Sequence, residues 1–228
     1  MTGRGQLVFD LGHRAALGRE DFLVAPCNAD AVAWIDRWPD WPAPALAIYG
    51  PAGCGKTHLA AAWRARSGAA ALSGERLSGA DLADLLGAGC TFVLDDSDRG
   101  VEERALLHLY NMLAERGGGL LITGESPPAR WRIALPDLRS RLAAAPAVAI
   151  APPDDTLLAA LLVKLFADRQ VRVNAELVTF LVPRIERSFD AARRVVAALD
   201  AAALAAGRPA TVPLARKVLG AELGAGPP

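Results

Sequence analysis

Eight consecutive residues, Gly50-Pro-Ala-Gly-Cys-Gly-Lys-Thr57, have the composition and spacing of a phosphate-binding loop. They match G-x-x-x-x-G-K-[ST] at every specified position. Its glycines let backbone N–H groups face phosphate oxygens, and a following helix presents its N-terminus to the same charge. The lysine is expected to contact the β- and γ-phosphates of ATP or ADP, and the threonine hydroxyl to bind Mg²⁺. The predicted nucleotide contacts are Gly50, Pro51, Ala52, Gly53, Cys54, Gly55, Lys56, Thr57 and His58.

A second apolar run, at residues 91–94, ends in two aspartates, Asp95 and Asp96. A phosphate-binding loop needs an acidic partner that organises Mg²⁺ and the attacking water. We therefore expect Asp95 to hold Mg²⁺ through water, and Asp96 to act as the general base or to orient it. An ordinary polar turn, Asp-Asp-Ser-Asp, is the competing interpretation, which the loop at residues 50–57 disfavours.

Two further segments carry polar residues with weaker signals. The third apolar run, at residues 120–123, ends near Thr123 and Glu125, either of which is a candidate sensor of the γ-phosphate. An ordinary strand end is the alternative. Arg139 and Arg141 lie on a predicted short helix and are either a solvated face or, at an oligomer edge, a source of positive charge for a neighbour's γ-phosphate.

The alternation of short apolar runs with helical patterns predicts an α/β fold with a parallel sheet. After Pro152-Pro153 the pattern is entirely helical and predicts a small lid, in which Pro183 should kink or split the second helix. The predicted strands are 45–49, 69–72, 91–95, 120–123 and 148–150. The predicted helices are 56–67, 78–86, 102–116, 137–142, 154–169, 174–187, 188–206 and one that begins at 212.

Composition argues against several classes of protein. Lys+Arg and Asp+Glu both number 25, so the charge is balanced and no direct sequence-specific DNA binding is expected. The three cysteines are widely spaced, which disfavours disulfides and structural zinc and favours the cytoplasm. Neither a signal peptide nor a membrane span is predicted.

The motifs, taken in order and followed by a helical lid, resemble the AAA+ ATPases, and in detail the DnaA branch. The acidic pair is Asp-Asp where most AAA+ proteins have Asp-Glu. Thr-Gly-Glu-Ser-Pro-Pro at residues 123–128 is similar to the sensor-1 segment of that branch. Leu-Arg-Ser-Arg-Leu at residues 138–142 is similar to its box VII, and this likeness implies that Arg141 is the arginine finger.

Two more segments extend the resemblance, which covers residue 6 to about residue 219. Residues 22–28, Phe-Leu-Val-Ala-Pro-Cys-Asn, resemble the family segment near the adenine, which implies a contact from Asn28; Ala25 replaces the usual glycine. At the sensor-2 position of the lid this sequence has Asp190 instead of arginine, and Arg193 or Arg194 is expected to replace it. Without such a replacement, the resemblance implies stable ADP binding and weak intrinsic ATPase activity.

Residues 6–11, Gln-Leu-Val-Phe-Asp-Leu, form an apolar stretch near the N-terminus. From the residues alone, a strand packed on the protein's own core is the preferred interpretation. DnaA relatives of the Hda type, which lack the DNA-binding domain, carry a similar motif that binds the DNA polymerase sliding clamp. That likeness implies a clamp-binding peptide with Gln6 as polar anchor and Leu7, Phe9 and Leu11 as apolar contacts on one face of an extended chain.

The expected organisation is therefore a clamp-binding peptide at 1–12, a nucleotide-binding α/β domain at 13–151, a helical lid at 152–221 and a disordered tail at 222–228. The resemblance implies a regulator that docks on the sliding clamp and stimulates hydrolysis of DnaA-bound ATP through AAA+ to AAA+ contact, with a homodimer as a further state. One alternative is a helicase loader or a DnaA-paralogue adaptor that recruits replication proteins. The other is a P-loop kinase or ATPase acting on a small molecule.

Overall fold

The computed structural model describes residues 23–72, residue 77 and residues 89–224. The described residues belong to two compact units, 23–151 and 152–224. The predicted clamp-binding residues 6–11, the predicted helix at 78–86 and the end of the predicted tail at 225–228 lie outside the described residues. Each unit is described by itself below.

The first unit is built on a five-stranded sheet with the strand order β2-β3-β4-β1-β5, in which every pairing is parallel. This confirms the predicted parallel α/β fold. The strands are β1 (Ala45–Tyr49), β2 (Ala70–Leu72), β3 (Thr91–Leu94), β4 (Gly119–Gly124) and β5 (Ala147–Ala149). The helices are α1 (Ala29–Asp36), α2 (Lys56–Ser67), α3 (Glu103–Arg116) and α4 (Pro136–Ala144).

Both faces of the sheet are buried, which explains why its strands are continuous apolar runs in the sequence. Phe92 and Ile122 belong to a core cluster on the face that packs against α3 and α4. Their neighbours Val93 and Leu121 belong to a second cluster, which α1 and α2 cover. Because side chains alternate along a strand, successive apolar residues supply the two clusters in turn.

Helix α1 is absent from the expectations above, although its sequence carries a signal. Ala31, Val32 and Ile35 are buried at helical spacing, and Asn28 precedes the first turn. The first predicted strand, 45–49, has the bounds of β1, and each of the other four differs from the observed strand by one residue at one or both ends, as strand ends depend on pairing with neighbours. Helix α3 begins one residue later than predicted because the Glu102 carboxylate accepts the N–H groups of Arg104 and Ala105 and caps it.

The second unit consists of α5 (Asp155–Asp168), α6 (Ala175–Leu181), α7 (Phe189–Ala206) and α8 (Val212–Gly224). Side chains cap three of these helices, since Asp154, Asn174 and Ser188 each accept an N–H from the first turn. Helix α8 continues to Gly224, the last described residue, and so includes the first three residues of the expected tail.

Pro183 splits the second lid helix, as predicted. Helix α6 ends at Leu181 and a 3₁₀ turn, Val182–Arg184, follows it. Proline has no N–H to donate to the carbonyl four residues earlier, so the α-helical ladder stops. The predicted continuation to residue 187 is wrong, since Ile185 has an extended backbone. Among the described residues, no helix is long and apolar enough to cross a bilayer.

Gly119 provides a test of the packing beneath β4. A Cβ atom at this position would lie 2.2 Å from the ring of Trp38, which packs edge-on against Trp41 and Trp63. We expect Gly119→Ala to lower the free energy of unfolding by roughly 1–3 kcal/mol, because the ring must move. Urea denaturation followed by tryptophan fluorescence measures this change, since all five tryptophans lie in residues 34–131.

The control is Gly220→Ala on the lid helix α8, where an added Cβ meets nothing within 4 Å. It should leave the tryptophan-monitored transition unchanged. A Gly119→Ala variant as stable as the wild type would contradict the close approach of the Trp38 ring.

Candidate nucleotide site

Most of the predicted site residues of the first unit, though not Asn28 and Arg141, lie at one edge of the sheet, where β1, β3 and β4 end. The loop at residues 50–57 follows β1, Asp95 and Asp96 follow β3, and Glu125 follows β4. Because the strands are parallel, their carboxyl ends meet at this edge, where ligands of α/β sheets commonly bind. Strand β4 pairs with both β1 and β3, so its end stands between the phosphate-binding loop and the acidic pair.

The loop has the backbone conformation that its glycines allow. Gly53 and Gly55 have φ angles of +70° and +104°, which residues with a side chain rarely adopt. Gly50 is required for a different reason, since a Cβ atom there would lie 2.2 Å from the carbonyl oxygen of Ile150. These three positions therefore accept only glycine without strain.

Lys56 is buried at the base of this loop with 6% of its surface exposed. Its Nζ donates to the carbonyl oxygens of Gly50 and Pro51 at 2.8 and 3.0 Å. No carboxylate of the described residues forms an ion pair with it. A buried ammonium group that is satisfied only by carbonyls is short of negative charge, which a phosphate group would supply.

The N-terminus of α2 also lacks a negatively charged partner among the described residues. Within the described chain, no side chain caps this helix, since Gly55 is the N-cap residue. The first turn of the helix also has no acidic residue. The first N–H groups of the helix are then left for a ligand, and the helix dipole favours an anion there. The loop, Lys56 and this helix end therefore fit a polyphosphate, with the exposed Thr57 hydroxyl in reach of a metal ion bound to it.

The acidic loop after β3 is fixed by Thr123, a buried residue of β4. Its hydroxyl donates to Asp95 Oδ1 and accepts the backbone N–H of Asp96 at 3.0 Å. Asp96 has a left-handed backbone, with φ +51°, which aspartate tolerates better than most residues. Thr123 is thus in contact with both acidic residues, and its predicted role at the γ-phosphate stays a prediction.

Glu125 is exposed and belongs to a network that the sequence did not reveal. Its backbone N–H donates to Asp98 Oδ2 at 2.6 Å, and its carboxylate accepts from Arg99 at 3.3 Å. The hydrogen bond that Arg99 donates to Glu125 and the nearby charges of Asp96 and Glu125 raise the pKa of Arg99. Asp98 and Arg99 follow the acidic pair after one residue, Ser97, but only the pairing of β3 with β4 shows what they contact.

Asn28 is predicted to lie near an adenine, and its side chain forms hydrogen bonds with the backbone of its own turn. Its Oδ1 accepts the N–H of Ala25 at 2.8 Å and its Nδ2 donates to the carbonyl of Leu23 at 2.9 Å. The residue is buried at the start of α1. Asn28 therefore shapes the turn before α1, and a nucleotide contact stays a prediction.

Arg141 lies on α4, away from the sheet edge, and is exposed together with Arg139. Its guanidinium lies 5.6 Å from the centre of the Tyr110 ring. Burial raises the pKa of Tyr110, and the positive charge of Arg141 opposes part of that rise. The guanidinium forms no ion pair with an acidic residue of the described chain, so its charge is available to a second molecule.

The lid residues that the sequence placed at the sensor-2 position have acidic partners within the lid. Arg193 lies 3.6 Å from Asp190, three residues before it on α7, and Arg194 lies 3.9 Å from Glu186. All four side chains are at least 45% exposed, so both contacts are weak. The predicted contact of Arg193 with a nucleotide stays a prediction.

Thr123 permits a test of the joint between β3 and β4. Thr123→Val keeps the shape of the side chain but leaves the Asp96 N–H and the Asp95 carboxylate without the hydroxyl, and we expect a loss of roughly 1–3 kcal/mol in the free energy of unfolding. Thr123→Ser retains the hydroxyl and should lose less. Urea denaturation measures both, and equal losses would contradict the role of the hydroxyl.

Comparison with known proteins gives this geometry a family context. The model of the Hda lid domain matches residues 154–219. Domain III of the replication initiation protein DnaA from Thermotoga maritima has a similar structure, with a TM-score of 0.76 at 19% identity, over 88% of this chain and 94% of that one.

Two further structures are similar at lower identity. AMPPCP-bound DnaA from Aquifex aeolicus has a TM-score of 0.64 at 18% identity, over 78% of this chain and 63% of that one. RuvB from Thermotoga maritima has a TM-score of 0.68 at 15% identity, over 86% of this chain and 68% of that one. These likenesses establish the AAA+ fold, a parallel sheet with a helical lid domain. The lid of this chain is therefore similar to that of Hda, and its fold is similar to that of DnaA domain III and RuvB.

Proposed function

We propose that this protein is an Hda-like regulator of replication initiation, which stimulates hydrolysis of the ATP bound to DnaA. The observation that carries the proposal is the match of residues 154–219 to the Hda lid domain, in a chain that also has a complete phosphate-binding loop. The regulator acts through AAA+ to AAA+ contact with DnaA. Its product, ADP-bound DnaA, does not start a second round of replication.

The protein binds ATP or ADP together with Mg²⁺ at the sheet edge. Support comes from Lys56, which is buried without an acidic partner among the described residues, and from the N-terminus of α2, which no described side chain caps. Lys56 holds the β- and γ-phosphates, while Thr57 and Asp95 hold the metal, Asp95 through water. The bound Mg²⁺ supplies positive charge that offsets the charge of the phosphates. The AMPPCP-bound DnaA of Aquifex aeolicus shows that a protein of this fold binds an ATP analogue.

Arg141 acts on the nucleotide of DnaA and not on that of its own chain. It is exposed on α4 without an ion-pair partner among the described residues, so its guanidinium is free to approach a second molecule. A guanidinium placed beside a γ-phosphate stabilises the negative charge that develops as the phosphoryl group leaves. Tyr110 restrains the arginine through its ring and so limits the entropy lost on contact.

The N-terminal peptide brings the protein to replicating DNA by docking on the sliding clamp. Gln6, Leu7, Phe9 and Leu11 have the order of the clamp-binding motif, and the three apolar residues share one face of an extended chain. An added strand of this kind binds through backbone hydrogen bonds and pockets for alternate side chains. The clamp then supplies the DNA localisation that the balanced charge of this chain does not.

The arginine variant tests the proposed activity on DnaA. Arg141→Ala should leave nucleotide and clamp binding intact and should reduce the stimulated hydrolysis of DnaA-bound ATP by roughly 10³-fold or more, which means to the basal rate. The measurement is conversion of radiolabelled DnaA-ATP to DnaA-ADP, with and without clamp and DNA.

Arg139→Ala is the matched control, since Arg139 is exposed on the same helix two residues earlier. It should retain most of the stimulation. Undiminished stimulation by Arg141→Ala would remove Arg141 from this role, and no stimulation by the wild-type protein would contradict the proposed function as a whole.

The peptide variant tests clamp docking. The wild-type protein should be captured in a pull-down with the clamp, and a Gln6→Ala, Leu7→Ala double variant should not, because both the polar anchor and one apolar contact are removed. Val8→Ala is the control, since residue 8 lies on the opposite face of an extended chain. No clamp binding by the wild type would favour a helicase loader or an adaptor over this proposal.

A further inference from the structure

Arg99 forms an ionic bridge between two carboxylates at the candidate nucleotide site. Its guanidinium lies 3.7 Å from Asp96 Oδ2 and 3.3 Å from Glu125 Oε1. One nitrogen of the guanidinium serves each carboxylate, and all three side chains are largely open to solvent. Asp96 is the residue expected to orient the water that attacks the γ-phosphate, so the bridge engages the group on which hydrolysis by this chain depends.

We propose that Arg99 is a positioning residue that restrains the Asp96 carboxylate and holds the protein's own ATP hydrolysis below the rate that its nucleotide site otherwise supports. The inference rests on the proposed nucleotide site but not on any contact with DnaA. The weak intrinsic ATPase activity that the resemblance implies would then have a local cause, the attraction of the Asp96 carboxylate toward Arg99.

Hydrogen bonds restrain the backbone around Arg99, and they fix the point from which its exposed side chain extends. Asp98 accepts the N–H groups of Glu125 at 2.6 Å and Ser126 at 3.3 Å, which joins the loop after β3 to the loop after β4. Gly124 makes this joint possible, because a Cβ atom there would lie 3.1 Å from Asp98 Cγ and 2.9 Å from the ring of Trp131. The two carboxylates that Arg99 bridges therefore belong to loops that cannot separate freely.

The position of Asp96 is equally constrained. Its N–H is held by the Thr123 hydroxyl and its φ angle of +51° directs the short side chain from a left-handed backbone. With only one methylene group, the carboxylate has little reach, so a pull toward Arg99 cannot be offset by extending the side chain. Asp96 and Glu125 would repel one another without the arginine, and Arg99 consequently keeps both carboxylates turned toward itself.

At 3.7 Å the contact between Arg99 and Asp96 is an ion pair and not a hydrogen bond, so Arg99 holds the Asp96 carboxylate toward itself by charge. Orienting the attacking water then requires the Arg99 contact to loosen, which adds to the barrier of the chemical step. Exposed ion pairs contribute little free energy, so the restraint should be modest and should change turnover by roughly two- to fivefold. Glu125 holds the other nitrogen of Arg99 and therefore limits how strongly the arginine engages Asp96.

The experiment compares Arg99→Gln, Arg99→Lys and Arg130→Gln in the full-length chain. Arg130 is exposed in the next loop and forms no ion pair in the described chain, so its variant controls for the loss of a nearby positive charge. Arg99→Gln should raise kcat for ATP hydrolysis roughly two- to fivefold with Kd for ATP unchanged. Arg99→Lys should give a smaller rise, because the ammonium keeps the positive charge near Asp96. Some rise should remain, because a single ammonium cannot serve both carboxylates through separate nitrogens. Arg130→Gln should match the wild type.

Hydrogen exchange on the nucleotide-free protein gives a readout that does not depend on turnover. Arg99→Gln should increase the exchange rate of amides in residues 95–99 and 124–126 several-fold, whereas Arg130→Gln should not.

Each result supports or overturns the inference. An unchanged or lower kcat in Arg99→Gln, at unchanged Kd for ATP, overturns the role of Arg99 and leaves the nucleotide site standing. An equal rise in Arg130→Gln overturns it as well, because the effect would then come from charge alone. Failure of the wild-type protein to bind ATP removes the nucleotide site itself, and the inference with it.

Discussion

A parallel sheet that is buried on both faces is the constraint on which this site depends. Helices α1 and α2 cover one face and α3 and α4 the other, so side chains along the strands must be apolar on both sides. Polar side chains are then rare within the strands and collect where the strands end. Thr123 is a fully buried polar residue in β4, and its hydroxyl is satisfied by the acidic loop beside it. Because the strands are buried, the charged side chains lie together at the edge of the sheet where the strands end.

The order of the strands determines what each end of the sheet can contact. Strand β4 lies between the strand of the phosphate-binding loop and the strand of the acidic pair. Its last residues are therefore neighbours of both, and a hydroxyl at Thr123 reaches both aspartates. Asp98 and Arg99 extend the same contact outward to Glu125 and Ser126. A change in the loop after β3 should alter the position of the loop after β4, because several separate hydrogen bonds join the two loops.

Charge at this edge is arranged in two opposite ways. Lys56 is a buried cation whose nearest partners are neutral carbonyls, which leaves its charge for a ligand. Asp96 is an exposed anion whose neighbour Arg99 already offsets its charge. The first arrangement favours binding of a phosphate, and the second is the basis of the proposed restraint on hydrolysis. The same edge of the sheet thus carries a cation without an acidic partner among the described residues and an anion that has a basic partner.

The sequence by itself determined the parallel α/β class, the phosphate-binding loop and the helical lid, because periodicity, glycine spacing and the Pro183 break are local properties of the chain. It also located Asp95, Asp96 and Thr123 at strand ends. Only the tertiary structure decided that Thr123 joins the two aspartates, that Asn28 is occupied by its own turn and that Arg99 bridges Asp96 and Glu125. The contacts of Thr123 and Arg99 depend on the register between the parallel strands β3 and β4, which are distant in the chain, and such a register leaves no periodic trace in the sequence.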